Sequence, residues 1–200
     1  MADASKETKL FLLPEDLVRR LRSLALRQGI SSTNYAAEAI EQALIMEKRG
    51  ATLQEAVEMY NIYEISRSAG ALQIPRTNFN EIISRLYKED KEGLLRAWKS
   101  AGRWYGEYLH ARLGEAVLGY LKSALLVGWN LDEVELVDKE GTVEVSYTSF
   151  IMSEELTELL NGYIRGIMTA MGYEMREEDS MRGLTTQRYA KHRIELNGRR

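Results

Sequence analysis

Cysteine is absent from the 200-residue chain. Its absence excludes disulfides, thiolate metal centres and a cysteine nucleophile, and it fits a reducing, cytoplasmic compartment. Histidine is scarce. His110 and His192 stand far apart in sequence on different expected elements, whereas a metal centre gathers three or four ligands. Long apolar runs are missing: none reaches the ~20 residues needed to cross a bilayer. The polar start MADASKET has no hydrophobic signal core, so no membrane association is expected. A net charge of -3 gives no overall pull toward nucleic acid, so any such contact has to come from a local patch or a dimer surface. The chain also lacks a glycine-rich phosphate loop after a strand, a nucleophile elbow and an HExxH helix. Glu154-Glu155 and Glu177-Glu178-Asp179 suit a solvated face better than paired catalytic carboxylates. No enzymatic activity, cofactor or metal is expected.

What is present begins with Lys9–Glu47. Leu10–Leu13 reads as a short apolar strand, stopped by Pro14, one of two prolines in the chain. Glu15 and Asp16 then suit the first turn of a helix, where negative charge complements the dipole. Leu17, Leu21, Leu24 and Ala25 make one apolar face, and Gly29 suits the left-handed position after the helix. Ser31 or Ser32 can cap a second helix with the stripe Ala36, Ile40, Ala43 and Leu44. A lone strand leaves its backbone groups unpaired, so the pattern calls for a partner strand.

This order resembles the ribbon-helix-helix family of DNA-binding proteins, through Pro14-Glu15-Asp16-Leu17, Arg27-Gln28-Gly29-Ile30-Ser31 and Glu38-Ala39-Ile40. The resemblance covers about residues 8–48. It implies a homodimer through paired N-terminal strands that enter the major groove of double-stranded DNA. Thr8, Leu10 and Leu12 would face the bases, while Lys6, Lys9, Ser31, Ser32 and Thr33 would meet phosphates. Leucine can touch a thymine methyl but cannot read donors and acceptors on base edges. The alternative is therefore a dimeric ligand-binding or scaffold protein that keeps this unit for dimerisation alone.

Further along, Thr52-Leu53-Gln54-Glu55 is a capping-box pattern, Ile74-Pro75 breaks the helical period, and helices are expected from about 78, 91 and 114. Gly102 and Gly106 lie one turn apart in the middle one, which suits close packing or, alternatively, room for a ligand. The period then changes to two. Val134, Leu136, Val143, Val145 and Tyr147 alternate with polar residues around Asp138-Lys139-Glu140-Gly141, a hairpin signature. A helix capped by Ser153 and strands at about 173–176 and 188–196 complete an α+β pattern with a small antiparallel sheet. The expected organisation is a ribbon-helix-helix unit at 8–50, a connecting helix and linker at 51–77, and an α+β sensory domain at 78–197.

A second resemblance rests on Ala101-Gly102, Val127-Gly128-Trp129 with Val134-Glu135-Leu136, and Asn161-Gly162-Tyr163-Ile164-Arg165-Gly166. These are similar to the 4-vinyl reductase-type domain, itself similar to the heme-NO-binding and vesicle-tethering subunit folds. The resemblance implies an apolar pocket between helices and sheet. Trp98, Tyr105, Tyr120, Trp129, Tyr147 and Tyr163 are the candidates to line it around an apolar small molecule. Several members of that family carry cysteines in the last third, and this chain has none. The combined expectation is a transcription regulator whose DNA binding is modulated by a ligand or partner of the C-terminal domain.

Overall fold

The computed structural model describes residues 10–139 and 141–191. Helices α1 (Glu15–Gln28), α2 (Ser32–Lys48), α3 (Leu53–Ser68), α4 (Arg76–Leu113) and α5 (Val117–Gly128) come first. Strands β1 (Glu133–Lys139) and β2 (Thr142–Thr148), helix α6 (Glu154–Ala170), and strands β3 (Tyr173–Met181) and β4 (Leu184–Lys191) follow. The chain divides into two compact units, with the border between Asn61 and Ile62 inside α3.

In the first unit the helix ends follow local chemistry. Pro14 opens α1, and its carbonyl accepts from the Val18 N–H at 3.1 Å. Gly29, at φ 70°, closes it, and the next amide, that of Ile30, returns to the Ala25 carbonyl at 3.1 Å. Ser31 caps α2 by accepting from the Asn34 N–H at 3.1 Å. Thr52 and Glu55 form the reciprocal capping box at the start of α3, with bonds of 3.1 and 2.6 Å. The backbone amide and then the hydroxyl of Thr52 hold the Glu55 carboxyl below its ordinary range.

The ribbon-helix-helix expectation is corrected here. Among the described residues the first regular element is α1, and Leu10–Pro14 is irregular. A ladder needs a neighbouring strand, and none of the four strands pairs with this segment. Leu10, Phe11, Leu12 and Leu13 are all exposed, without the alternation of a half-buried strand. Ser31 spends its hydroxyl on capping α2; Ser32 and Thr33 lie in the first turn of α2. Thr8, Lys6 and Lys9 lie outside the described residues. Dimerisation through paired strands and a groove-reading DNA interface therefore lose their structural basis, and the transcription-regulator reading goes with them. Leu17, Leu24, Ile40 and Leu44 remain exposed, and Ala25 is the buried residue of α1.

The second unit holds the main core. Its α4 contains a break at Asp90, with φ -149° and ψ 73°. The Asp90 carboxylate accepts from the Gly93 N–H at 2.8 Å, so a new helix is capped where the old one stops. The long element thus consists of two helical segments.

The four strands form an antiparallel sheet in the order β1-β2-β4-β3. One face carries Val143, Val145 and Tyr147 of β2 with Tyr189 of β4. Leu156, Leu159, Leu160, Ile164, Ile167 and Met168 of α6 belong to the same buried cluster. The other face is polar. Ser146 and Thr186 share a hydrogen bond of 3.2 Å, and Arg188 pairs with Glu144 and Glu177.

Helices α4 and α6 meet backbone to backbone. A Cβ on Gly102 would stand 2.0 Å from the Tyr163 carbonyl oxygen, and one on Gly166 would stand 2.1 Å from that of Lys99. The glycine spacing is therefore a packing seam and leaves no ligand space of its own. The short motifs behind the 4-vinyl reductase-type resemblance have the same physical explanation. Its Ala101-Gly102 and Asn161–Gly166 motifs include the small residues of this contact, which any closely packed helix pair requires. Where α6 covers the sheet, the space is filled by fully buried side chains such as Leu160, Ile164, Val145 and Tyr189, which leave no apolar pocket at that point.

Candidate ligand site

The aromatic residues of the second unit gather away from the sheet, where the end of α3, α4, α5 and one edge of α6 come together. Helical spacing puts Trp98 and Tyr105 two turns apart on α4. Trp98 lies 5.2 Å from Trp129 and 6.3 Å from Tyr163, ring centre to ring centre. Tyr163 also stacks on Tyr105 at 6.0 Å and approaches Trp129 at 5.7 Å. Such offset and tilted pairs add to the hydrophobic gain and rigidify each ring.

This cluster walls a cavity of about 240 Å³. Trp104, Tyr105, Trp129 and Tyr163 supply its aromatic side. Ala101 and Ala124 keep it open, and Leu121 and Leu125 supply aliphatic surface. No charged residue lines it. Tyr105 and Tyr120 share a hydroxyl–hydroxyl hydrogen bond of 3.3 Å. Tyr163 lines the cavity, and its hydroxyl has no hydrogen-bond partner among the described residues, which makes it the candidate polar handle for a ligand.

Of the six candidates for a pocket, Tyr105, Trp129 and Tyr163 line this cavity. Trp98 supports it from behind, and Tyr120 reaches it through the Tyr105 hydroxyl. Tyr147 sits apart, because strand β2 turns it under α6, where its hydroxyl donates to Asn161 Oδ1 at 2.7 Å. The six candidates left out Trp104, a residue that is 54% exposed and whose ring stacks on Tyr108 at 5.7 Å. It directly precedes Tyr105 in α4, about 100° around the helix from it.

Also missed was a buried polar network between α6 and strands β3 and β4. Asn161 donates to Ser180 at 2.9 Å, and Gln187 bridges Tyr189 and Glu178 with bonds of 2.7 and 2.6 Å. Asn161, Thr185 and Gln187 are buried. Polar residues in alternating strands give no sign of inward facing when the neighbours are polar too.

Burial pushes the phenols of Tyr105 and Tyr163 well above the ordinary tyrosine range, and Tyr120 reinforces both shifts. Burial does the same for Tyr147 and Tyr189. All four stay neutral donors at physiological pH. Each holds its proton longer in the folded than in the unfolded chain. Their contribution to stability is therefore fully present below the unfolded tyrosine value, about 10, and is lost as pH rises beyond it. In an alkaline titration followed by tyrosinate absorbance, these four should ionise late and together with unfolding. A smooth titration of all eleven tyrosines near pH 10 with the fold intact would contradict their burial.

No protein-family model matches the chain, and no curated protein matches it. Solved structures do. An oxygen-binding H-NOX domain related to soluble guanylate cyclases, in its oxygen complex, is 13% identical, with a TM-score of 0.39 over 70% of this chain and 88% of that one. An H-NOX protein studied for heme distortion is 14% identical, with the same score and coverage. An H-NOX domain of Shewanella oneidensis in its Fe(II)CO state is 11% identical, with a TM-score of 0.36 over 61% of this chain and 78% of that one. These are neither ribbon-helix-helix nor 4-vinyl reductase-type proteins. Likeness at this level fixes neither fold nor chemistry, and the site rests on its own residues.

Proposed function

We propose that the second unit, from Ile62 onward, is a binding domain for a small, neutral, apolar or aromatic molecule carrying one hydrogen-bonding group. It binds and does not catalyse. The observation that carries this reading is the uncharged aromatic cavity, with Trp104, Tyr105, Trp129 and Tyr163 on one side and the alanines that hold it open on the other. Aromatic walls give a flat ligand large contact area, and a neutral phenol fixes its orientation. A cavity of about 240 Å³ takes a ligand of roughly a dozen heavy atoms, below the usual range for drug-sized ligands.

Heme, which the H-NOX structures hold, does not fit these residues. Heme iron takes an axial His, Cys, Met or Tyr. The cavity contains no histidine, cysteine or methionine, and His110 is exposed at the last turn of α4 and does not line it. Its tyrosines are held neutral by burial, against the phenolate that iron would need. No cluster of three metal-binding side chains occurs among the described residues. No helix among them is long and apolar enough to cross a membrane. The cysteine-free composition supports a cytoplasmic setting.

The polar handle gives a specific test. Tyr163→Phe should weaken binding of 2-naphthol about fivefold, as expected for one hydrogen bond of ~1 kcal/mol. Naphthalene, which has no hydroxyl, should bind both proteins equally. An equal loss for the two probes would mean that Tyr163 acts by shape alone.

A further inference from the structure

A second and larger cavity, about 500 Å³, runs between α4, α6 and the end of β3. It shares no lining residue with the aromatic cavity, and its chemistry is opposite. Arg96 and Lys99 reach it from α4, one turn apart on the same face, and Arg165 reaches it from α6. The Arg165 side chain is braced. One of its Nη atoms donates to Glu178 at 2.9 Å. The same Glu178 oxygen accepts from Gln187 at 2.6 Å, and Gln187 accepts from the Tyr189 hydroxyl at 2.7 Å. Gln187 and Tyr189 are fully buried, so the guanidinium is anchored to the core by a chain of rigid groups.

That bond uses one of the five guanidinium N–H donors. The buried Arg165 Nε has no partner at all. Arg96 and Lys99 have no carboxylate partner among the described residues. The carboxylates nearby are largely committed or distant. Glu158 is paired with Lys91 at 2.8 Å and bonded by Tyr87, and Glu178 is held as described. Glu154 lies about 16 Å before Arg165 along the α6 axis. Glu92 stands one turn before Arg96 on α4, beside it, and among the described residues is the one uncommitted carboxylate facing Arg96, Lys99 and Arg165. One end of the cavity is therefore rich in cations and poor in free anions. Its floor is neutral and fixed: Asn161 is clamped between Tyr147 and Ser180.

We infer that this end binds a small oxyanion, the carboxylate or phosphate group of a soluble metabolite. Arg165 is the fixed anchor, and Arg96 and Lys99 close on the anion from α4. Preorganised guanidinium donors suit such groups because they offer parallel, charge-assisted hydrogen bonds.

The test is calorimetric titration of the full chain with inorganic phosphate and, separately, with malonate, against chloride at equal ionic strength. Saturable binding of one or both is expected, and the tighter anion identifies the group as phosphate or carboxylate. The exposed pair Arg96→Gln and Lys99→Gln together should weaken binding at least tenfold and leave the melting temperature unchanged. Ala101→Phe, which alters the other cavity, should leave it intact. The inference fails if neither anion saturates, if the double variant binds as tightly as the parent, or if Ala101→Phe abolishes binding.

Discussion

Gly166→Ala is expected to lower the stability of the second unit by about 3 kcal/mol, at the upper end of the range for overpacking. The new methyl would stand 2.1 Å from the Lys99 carbonyl oxygen and 2.7 Å from the Arg103 amide nitrogen, both backbone atoms that no side-chain rotation can move. Relief requires α4 and α6 to separate. Separation would loosen the cluster that includes Ile164, Ile167 and Met168 on α6 and Leu94, Leu95 and Trp98 on α4. Typical domains have only about 5–15 kcal/mol of stability in total, so the loss should be plain in urea unfolding. Gly119→Ala is the matched control. Gly119 lies inside α5 with open space around it, and alanine there should stabilise by about 0.5–1 kcal/mol through helix propensity. Equal effects of the two substitutions would contradict the tight seam.

The different outcomes along the chain have physical reasons. Caps were legible because they are local: Ser31, Thr52 with Glu55, and Ser153 each satisfy an amide within one turn. The hairpin β1–β2 was legible from its period of two and its acidic–glycine turn. The ribbon was not, because a strand is defined by its neighbour. Leu10–Leu13 have strand-like composition, but no strand among the described residues pairs with them. The aromatic site was partly legible. Trp98 and Tyr105 follow the helical stripe, whereas Tyr147 belongs to another face that only the register of β2 against β4 decides. The buried network escaped notice because the bulge between Met175 and Glu177 shifts the register of β3. From there on, Glu178 and Ser180 stand opposite Gln187 and Thr185, and nothing in the sequence announces that shift.

Ala101→Phe is expected to remove ligand binding from the aromatic cavity without unfolding the protein. Ala101 lines the cavity but is itself exposed, so a larger ring can enter the open space without displacing the core. A phenylalanine ring fills much of a cavity of about 240 Å³. The substitution should therefore reduce affinity for a flat aromatic probe by at least tenfold, equivalent to about 1.4 kcal/mol. Urea unfolding should show a change within about 0.5 kcal/mol, as for other exposed positions.

The most direct measurement is a titration of the full chain with 2-naphthol, followed by tryptophan fluorescence. Two of the three tryptophans line the cavity and report on it, Trp104 from within α4 and Trp129 from the C-terminal end of α5. Saturable binding to a single site per chain is predicted, with a dissociation constant on the order of tens to hundreds of micromolar for a ligand of this size. It should be lost in Ala101→Phe. A linear, unsaturable response, or a saturable one that Ala101→Phe leaves unchanged, would contradict a ligand site at this cavity.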